Sequence, residues 1–349
     1  MSPFRPQDFL YGRRDQRLEW SFAVIQSNPR TDASGLGFVH ALTFAASNCS
    51  VIRFKRSLPI GARLSATLLL LSACGQAGST HGPTSATTRP QGTASIASAT
   101  PTADIRGMFD VGGYELYLEC TGPEGGPTVV YLHGMEGSHN SAQQLPNGLT
   151  ANVRWCAYDR ANAGFSDRVE ERRLGSAFAH ELHALLAAAQ IDGRYVLVGA
   201  SHGGLIAVLY AELYPEDVAG MVLLDGGPPH LREVYALIPD EERDAVIAEA
   251  ELNPERVKFF DTVDEARGML DQLPDVPVTL MLAIPPVAEE PPHWPIDEIR
   301  ALDALRAEEF VARFRMGRLV RVDSPHYMEA AVPDEIVAEI DRLVGILDR

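Results

Sequence analysis

Ser201 stands in Gly199-Ala200-Ser201-His202-Gly203, with a glycine two residues away on either side. The β-rich run Tyr195–Val198 leads into this segment, and a helical pattern from Leu205 to Tyr214 leads out of it. A strand-to-helix turn carrying an exposed serine is sharp and strained, so the residues beside the serine must be small, and Gly199 and Gly203 meet that need. The serine then projects from the end of the strand at the N-terminus of the next helix. There, free backbone N–H groups favour developing negative charge. Such a serine serves nucleophilic attack on a carbonyl, given a base to take its proton and an acid to orient the base. An ordinary glycine-rich turn is the bland alternative, and the strand before and helix after argue against it.

The elements that must hold this turn begin at Asp104. Strand patterns cover Tyr114–Cys120, Thr128–Leu132, Val153–Tyr158, Tyr195–Val198, Met221–Leu224, Val278–Leu282 and Arg318–Val322. Helical patterns cover Ser176–Ala189, Leu205–Tyr214, Asp297–Arg315 and Pro333–Leu347. Strands separated by helices predict a mostly parallel sheet covered on both faces. The stretch Pro229–Leu273 is rich in Glu, Asp and Ala and has no strand signal, which predicts a small helical insertion.

Four segments together carry a family resemblance. They are the serine turn, Leu132-His133-Gly134-Met135 after one strand, Tyr158-Asp159-Arg160 through Gly164-Phe165-Ser166 after the next, and Ser324-Pro325-His326 after the last. On these residues the chain resembles the α/β-hydrolase family over residues 107–349. The resemblance implies an α/β fold with a mostly parallel central sheet, helices on both faces and a helical cap at about 229–273. It implies an oxyanion site made by the backbone amides of Met135 and His202, and His326 as the base. Two such donors are each worth roughly 3 kcal/mol at a tetrahedral oxyanion. For the acid, Asp225 at the end of the Met221–Leu224 strand is preferred, with Glu289, Glu290 and Asp264 as the competitors. Asp159 and Arg160 read as residues that fix the loop over the site and not as chemistry. Cys120 and Cys156 fall on strands that the family places side by side, so the resemblance allows a disulfide between them.

Residues before 104 read differently. A basic stretch (Arg53, Lys55, Arg56, Arg63) precedes the apolar run Leu64–Leu71, in the order of a secretory signal. Leu71-Ser72-Ala73-Cys74 resembles the lipobox of bacterial lipoprotein signals, which implies a lipid on Cys74. Residues 51–74 are therefore expected to act as a signal, and 1–50 as an extension that is non-native or disordered. Residues 75–103 are Gly, Ser, Thr, Ala and Pro with few large apolar side chains, a composition for a flexible tether. The expected location is the bacterial cell envelope, held by lipid alone, or the cytoplasm if the signal is unused.

The 349 residues carry 30 Lys+Arg against 47 Asp+Glu, a formal net charge of −17. That balance argues against nucleic acid as a partner, because neutralising phosphates requires clustered cations. The four cysteines, at 49, 74, 120 and 156, show no zinc-ligand spacing. Neither a metal nor an organic cofactor is expected. The resulting expectation is a serine hydrolase of small-molecule esters, with amides as an extension. A dehalogenase or epoxide hydrolase of the resembling family would carry Asp where Ser201 stands. Cofactor-free haloperoxidases, C–C hydrolases and prolyl peptidases keep the serine and remain open, as does a non-catalytic surface binding protein. Neither the natural substrate nor the oligomeric state is legible.

Overall fold

The computed structural model of the chain describes residues 104–285 and 293–347. Eight strands form one sheet, in the order β1-β2-β4-β3-β5-β6-β7-β8. They are β1 (Ile105–Asp110), β2 (Glu115–Thr121), β3 (Thr128–Leu132), β4 (Arg154–Tyr158), β5 (Tyr195–Ala200), β6 (Val218–Leu224), β7 (Val278–Ala283) and β8 (Gly317–Val322). β1 and β2 pair antiparallel, β2 meets β4 antiparallel, and every pairing from β4 through β8 is parallel. The central strands β3, β4 and β5 are buried at every position, as parallel strands covered on both faces must be.

Strand β1 is the element that the sequence pattern missed. It lies at the antiparallel edge with one face exposed, and its alternation is broken by Gly107 on the inner face and Met108 on the outer one, so the hydrophobic signal is weak. Its turn into β2 is set by Asp110, whose Oδ1 accepts from the Gly112 and Gly113 amides at 2.8 Å each.

Helices cover both faces. One face packs α1 (Gly175–Ala188), α2 (His202–Leu213) and α6 (Ile296–Val311) around Phe178, Leu182, Ile206 and Phe310. The other face packs α7 (Pro333–Leu347), whose Ile336, Ile340, Leu343 and Val344 recur on one helical stripe against the sheet. Between β6 and β7 the insertion forms three helices, α3 (Leu231–Tyr235), α4 (Asp240–Glu251) and α5 (Phe259–Met269). They share a small apolar cluster of their own, in which Tyr235, Val246 and Phe260 meet Trp294 and Ile299. A short parallel bridge between Arg173 and Val257 ties the insertion to the body.

Cys120 and Cys156 face each other directly in the β2/β4 register, and a disulfide joins them. The apolar run before Cys74, the cysteine itself, the tether, and Glu289 and Glu290 lie outside the described residues.

Candidate active site

Parallel strands deliver their C-terminal ends to one edge of a sheet, and that edge is where open α/β sheets bind ligands. Here β3 delivers Met135, β5 delivers Ser201, β6 delivers Asp225 and β8 delivers His326. Ser201 has φ 49° and ψ −118°, a left-handed backbone that costs on the order of 1–3 kcal/mol for a residue with a Cβ. The turn is tight enough that a Cβ on Gly203 would fall 2.1 Å from the Leu132 carbonyl oxygen, and one on Gly226 would fall 2.2 Å from that of Ser201. Asp225 is likewise at positive φ, 44°, held by its amide on the Met281 carbonyl at 2.8 Å.

These placements produce a continuous hydrogen-bonded chain. His326 Nε2 lies 2.8 Å from Ser201 Oγ, and His326 Nδ1 lies 2.6 Å from Asp225 Oδ2. The other carboxylate oxygen, Oδ1, accepts from the Ala283 amide at 2.9 Å, so the acid cannot rotate away from the imidazole. Of the competing acids, Asp264 sits on α5, half exposed, and accepts from Arg232 Nε at 2.7 Å on both oxygens.

Burial depresses the His326 pKa, but the hydrogen bond and charge of Asp225, and the charges of Glu329 and Asp303, outweigh it. The net shift is upward from 6.5. Two other histidines near the serine go the opposite way. His202 is buried with neither ring nitrogen partnered among the described residues, its ring between Phe178 and Phe259. Burial and then the Arg160 charge push its pKa down to about 3. His133 is also fully buried and held well below 6.5 by burial and Arg160. Its Nδ1–H donates to the Gly134 carbonyl at 2.8 Å, and its Nε2 accepts from the Arg160 amide at 3.3 Å. That is the pattern of a neutral ring.

Met135 and His202 line the same cavity as Ser201, and neither backbone amide has a carbonyl acceptor among the described residues. A cavity of about 240 Å³ opens over Ser201 and His326. Its wall is largely apolar, with Met135, Leu205, Val234, Phe259 and Leu282 among the contributors. Besides Arg300, sequence reasoning did not find two polar members of that wall, His230 and Asp303, whose Nε2 and Oδ1 are 2.5 Å apart. They come from the insertion and from α6, 73 residues apart, and no local motif marks either one.

Asp159 lies under the site with no exposure. Its carboxylate accepts from the His139 amide at 2.7 Å and the Phe165 amide at 2.8 Å. Strain concentrates in this neighbourhood. Of six non-glycine residues at positive φ among the described residues, Glu136, Ser201, Asp225 and Arg256 all lie at the site or beside its supports.

The family model for the alpha/beta hydrolase fold matches residues 127–336. The chain belongs to that family, and its relatives include named hydrolases. It is similar to a 2-(acetamidomethylene)succinate hydrolase of Mesorhizobium japonicum, 26% identical over 69% of this chain and 80% of the relative. Proline iminopeptidase PfmaB of Pestalotiopsis fici is 25% identical over 45% of this chain and 57% of its own length. The uncharacterized protein YqjL of Bacillus subtilis is 25% identical over 50% and 68%. The match to PfmaB thus spans less than two thirds of that relative's length. Among solved structures, Cfl2 of Burkholderia cenocepacia superposes with a TM-score of 0.51 at 18% identity, covering 70% of this chain and 99% of its own. At that identity the likeness is one of fold.

Proposed function

We propose that the chain is a serine hydrolase that cleaves small-molecule esters through an acyl-enzyme on Ser201. The observation that carries this reading is the unbroken chain Ser201–His326–Asp225, with both hydrogen bonds at 2.8 Å or less. His326 Nε2 takes the proton of Ser201 as Oγ attacks the carbonyl carbon, and Asp225 stabilises the imidazolium through Nδ1–H. The oxyanion sits between the amides of Met135 and His202. Collapse of the tetrahedral adduct expels the alcohol, which takes its proton from His326. A water molecule, deprotonated by the same imidazole, then releases the acid and restores Ser201.

Amides form the second reading, favoured by the relatives named as a proline iminopeptidase and a 2-(acetamidomethylene)succinate hydrolase. The apolar cavity wall suits an aliphatic or aromatic acyl group, and the insertion helices set how much of it fits. A fluorophosphonate probe tests the nucleophile: it is expected to label wild type and not Ser201→Ala. Wild type left unlabelled and inert on a p-nitrophenyl ester and anilide panel would sink the hydrolase reading in favour of a binding role.

The same proposal extends to location. The basic and apolar order of residues 53–71 and the cysteine at 74 support export with a lipid on Cys74. The Cys120–Cys156 disulfide supports an oxidising compartment. A single acyl chain anchors only marginally, so the envelope attachment needs more than one. Metabolic labelling with an alkyne fatty acid is expected to mark wild type and spare Cys74→Ser; equal labelling of both would refute the anchor.

A further inference from the structure

Met135 is bracketed by two peptide planes, and a single buried ion pair fixes both. The plane before it joins Gly134 to Met135. Its carbonyl accepts from Arg160 Nη2 at 2.8 Å, from His133 Nδ1 at 2.8 Å and from the Gly137 amide at 3.1 Å. The peptide is trans, so its N–H points opposite to that carbonyl. Anchoring the oxygen on one side aims the Met135 N–H to the other. Ser201 is close by: a Cβ on Gly134 would lie 3.6 Å from the Ser201 Cβ. The plane after Met135 is held through its N–H, because the Glu136 amide donates to Glu255 Oε1 at 2.9 Å.

Arg160 and Glu255 are one unit. The guanidinium Nε donates to Glu255 Oε2 at 2.6 Å and Nη2 to Oε1 at 2.9 Å, while Nη1 donates to the His133 carbonyl. Their side chains are 0% and 1% exposed, so this fork is not a solvated surface pair. A cation on the Gly134 carbonyl also draws electron density through the peptide and strengthens its N–H as a donor. Glu255 follows α4 in the insertion, where the Arg173 amide donates to the Arg256 carbonyl at 2.8 Å and the Lys258 amide to the Arg173 carbonyl at 2.8 Å.

We propose that Arg160 and Glu255 are positioning residues for the oxyanion: together they set both peptide planes around Met135, so that the insertion and the Met135 donor are aligned as one piece. The inference rests on the hydrolase reading above, with the Met135 amide as an oxyanion donor. It assigns Arg160 and Glu255 an effect on the transition state beyond their effect on folding.

The test uses the full chain, a p-nitrophenyl ester and a trifluoromethyl ketone. Ser201 Oγ adds reversibly to the ketone carbon while its proton passes to His326, leaving a tetrahedral oxyanion. Arg160→Lys keeps the charge and loses the planar fork. It is expected to lower kcat about 10- to 100-fold with KM within about twofold, a fraction of what losing an oxyanion donor costs. The ketone Ki should rise by the same factor as kcat/KM falls. Glu255→Gln keeps an oxygen for the Glu136 amide and removes the charge, and should move both quantities the same way by less. A folded Arg160→Lys with kcat and ketone Ki within twofold of wild type overturns the proposal. If one variant fails to fold, the other decides on the same readouts. Collapse of both assigns the pair to stability alone and also overturns it. Wild type that resists the fluorophosphonate probe would sink the hydrolase reading instead, so the two failures are told apart.

Discussion

The two sides of Ser201 arrange their charges differently. On one side His326 is surrounded by carboxylates: Asp225 at 2.6 Å, with Glu329 and Asp303 contributing charge from further off. On the other side the loop after β3 is backed by the buried Arg160 guanidinium, and the two histidines there, His133 and His202, are held neutral. The contrast shows why three imidazoles near one serine have two fates. Proton transfer needs an imidazole that welcomes a positive charge, and the oxyanion needs surroundings that welcome a negative one. A second imidazolium beside the nucleophile would compete with His326 for the proton, and burial with Arg160 prevents it. The same chain thus pairs an acid-rich half-site around His326 with a charge-balanced half-site, the Arg160–Glu255 pair and two neutral rings, where the oxyanion is proposed to form.

Removing the acid-rich half-site breaks the comparison most severely. His326→Ala is expected to reduce ester turnover by about five orders of magnitude, since nucleophile and base act as a unit. Single-turnover kinetics with fluorophosphonate labelling should show loss of both acylation and labelling. Asp225→Asn should cost about 10⁴-fold in kcat, because an amide can present an N–H to Nδ1 and impose the wrong tautomer. A rate unchanged in that variant would move the orienting role elsewhere. The pH profile supplies the sign. The base must be neutral to act, and its pKa is raised above 6.5, so kcat/KM should fall as pH drops through a midpoint above 6.5. The same shift stabilises the folded chain below the unfolded imidazole's pKa, and that contribution is lost as pH rises through the folded value.

Much of this site was legible because its signals are local. Ser201 is announced by two glycines, a strand and a helix within a dozen residues, and the Cβ clash at Gly203 shows why glycine is required there. His326 and Met135 are legible by their place after a strand. What was not legible joins residues far apart in the chain. Arg160 and Glu255 are 95 residues apart, and a charged residue in an acidic helical insertion looks like any solvated one until the fold buries it. His230 and Asp303 are hidden in the same way. Strand β1 failed for a different reason: an antiparallel edge needs one apolar face, and Gly107 and the exposed positions dilute it.

His202 sharpens the comparison from the charge-balanced side. Its backbone amide is the proposed oxyanion donor, while its side chain is neutral and buried among Phe178 and Phe259. Replacement by Leu removes two ring nitrogens that have no partner among the described residues and leaves the amide in place. Turnover should stay within about fivefold of wild type, with the melting temperature equal or higher, because an unpaired buried polar group costs about 1–3 kcal/mol. A drop in kcat comparable with that of His326→Ala would mean that the ring itself takes part in the chemistry.

Asp303 gives the smallest expected effect and the finest test of the acid-rich side. It reaches His326 through space, its carboxylate already accepting from His230 Nε2 at 2.5 Å and 34% exposed to solvent. Water at that exposure screens the charge, so its influence on His326 must be weaker than that of Asp225, which bonds the ring directly. Asp303→Asn removes a charge that raises the His326 pKa, so the acid limb of kcat/KM should move to lower pH. The plateau at high pH should change little, since the imidazole is neutral there with or without Asp303. An acid limb that moves upward, or a plateau that collapses while the limb stays in place, would mean that Asp303 acts on substrate and not on the base. A limb and plateau both unmoved would restrict the acid-rich half-site to Asp225 and Glu329.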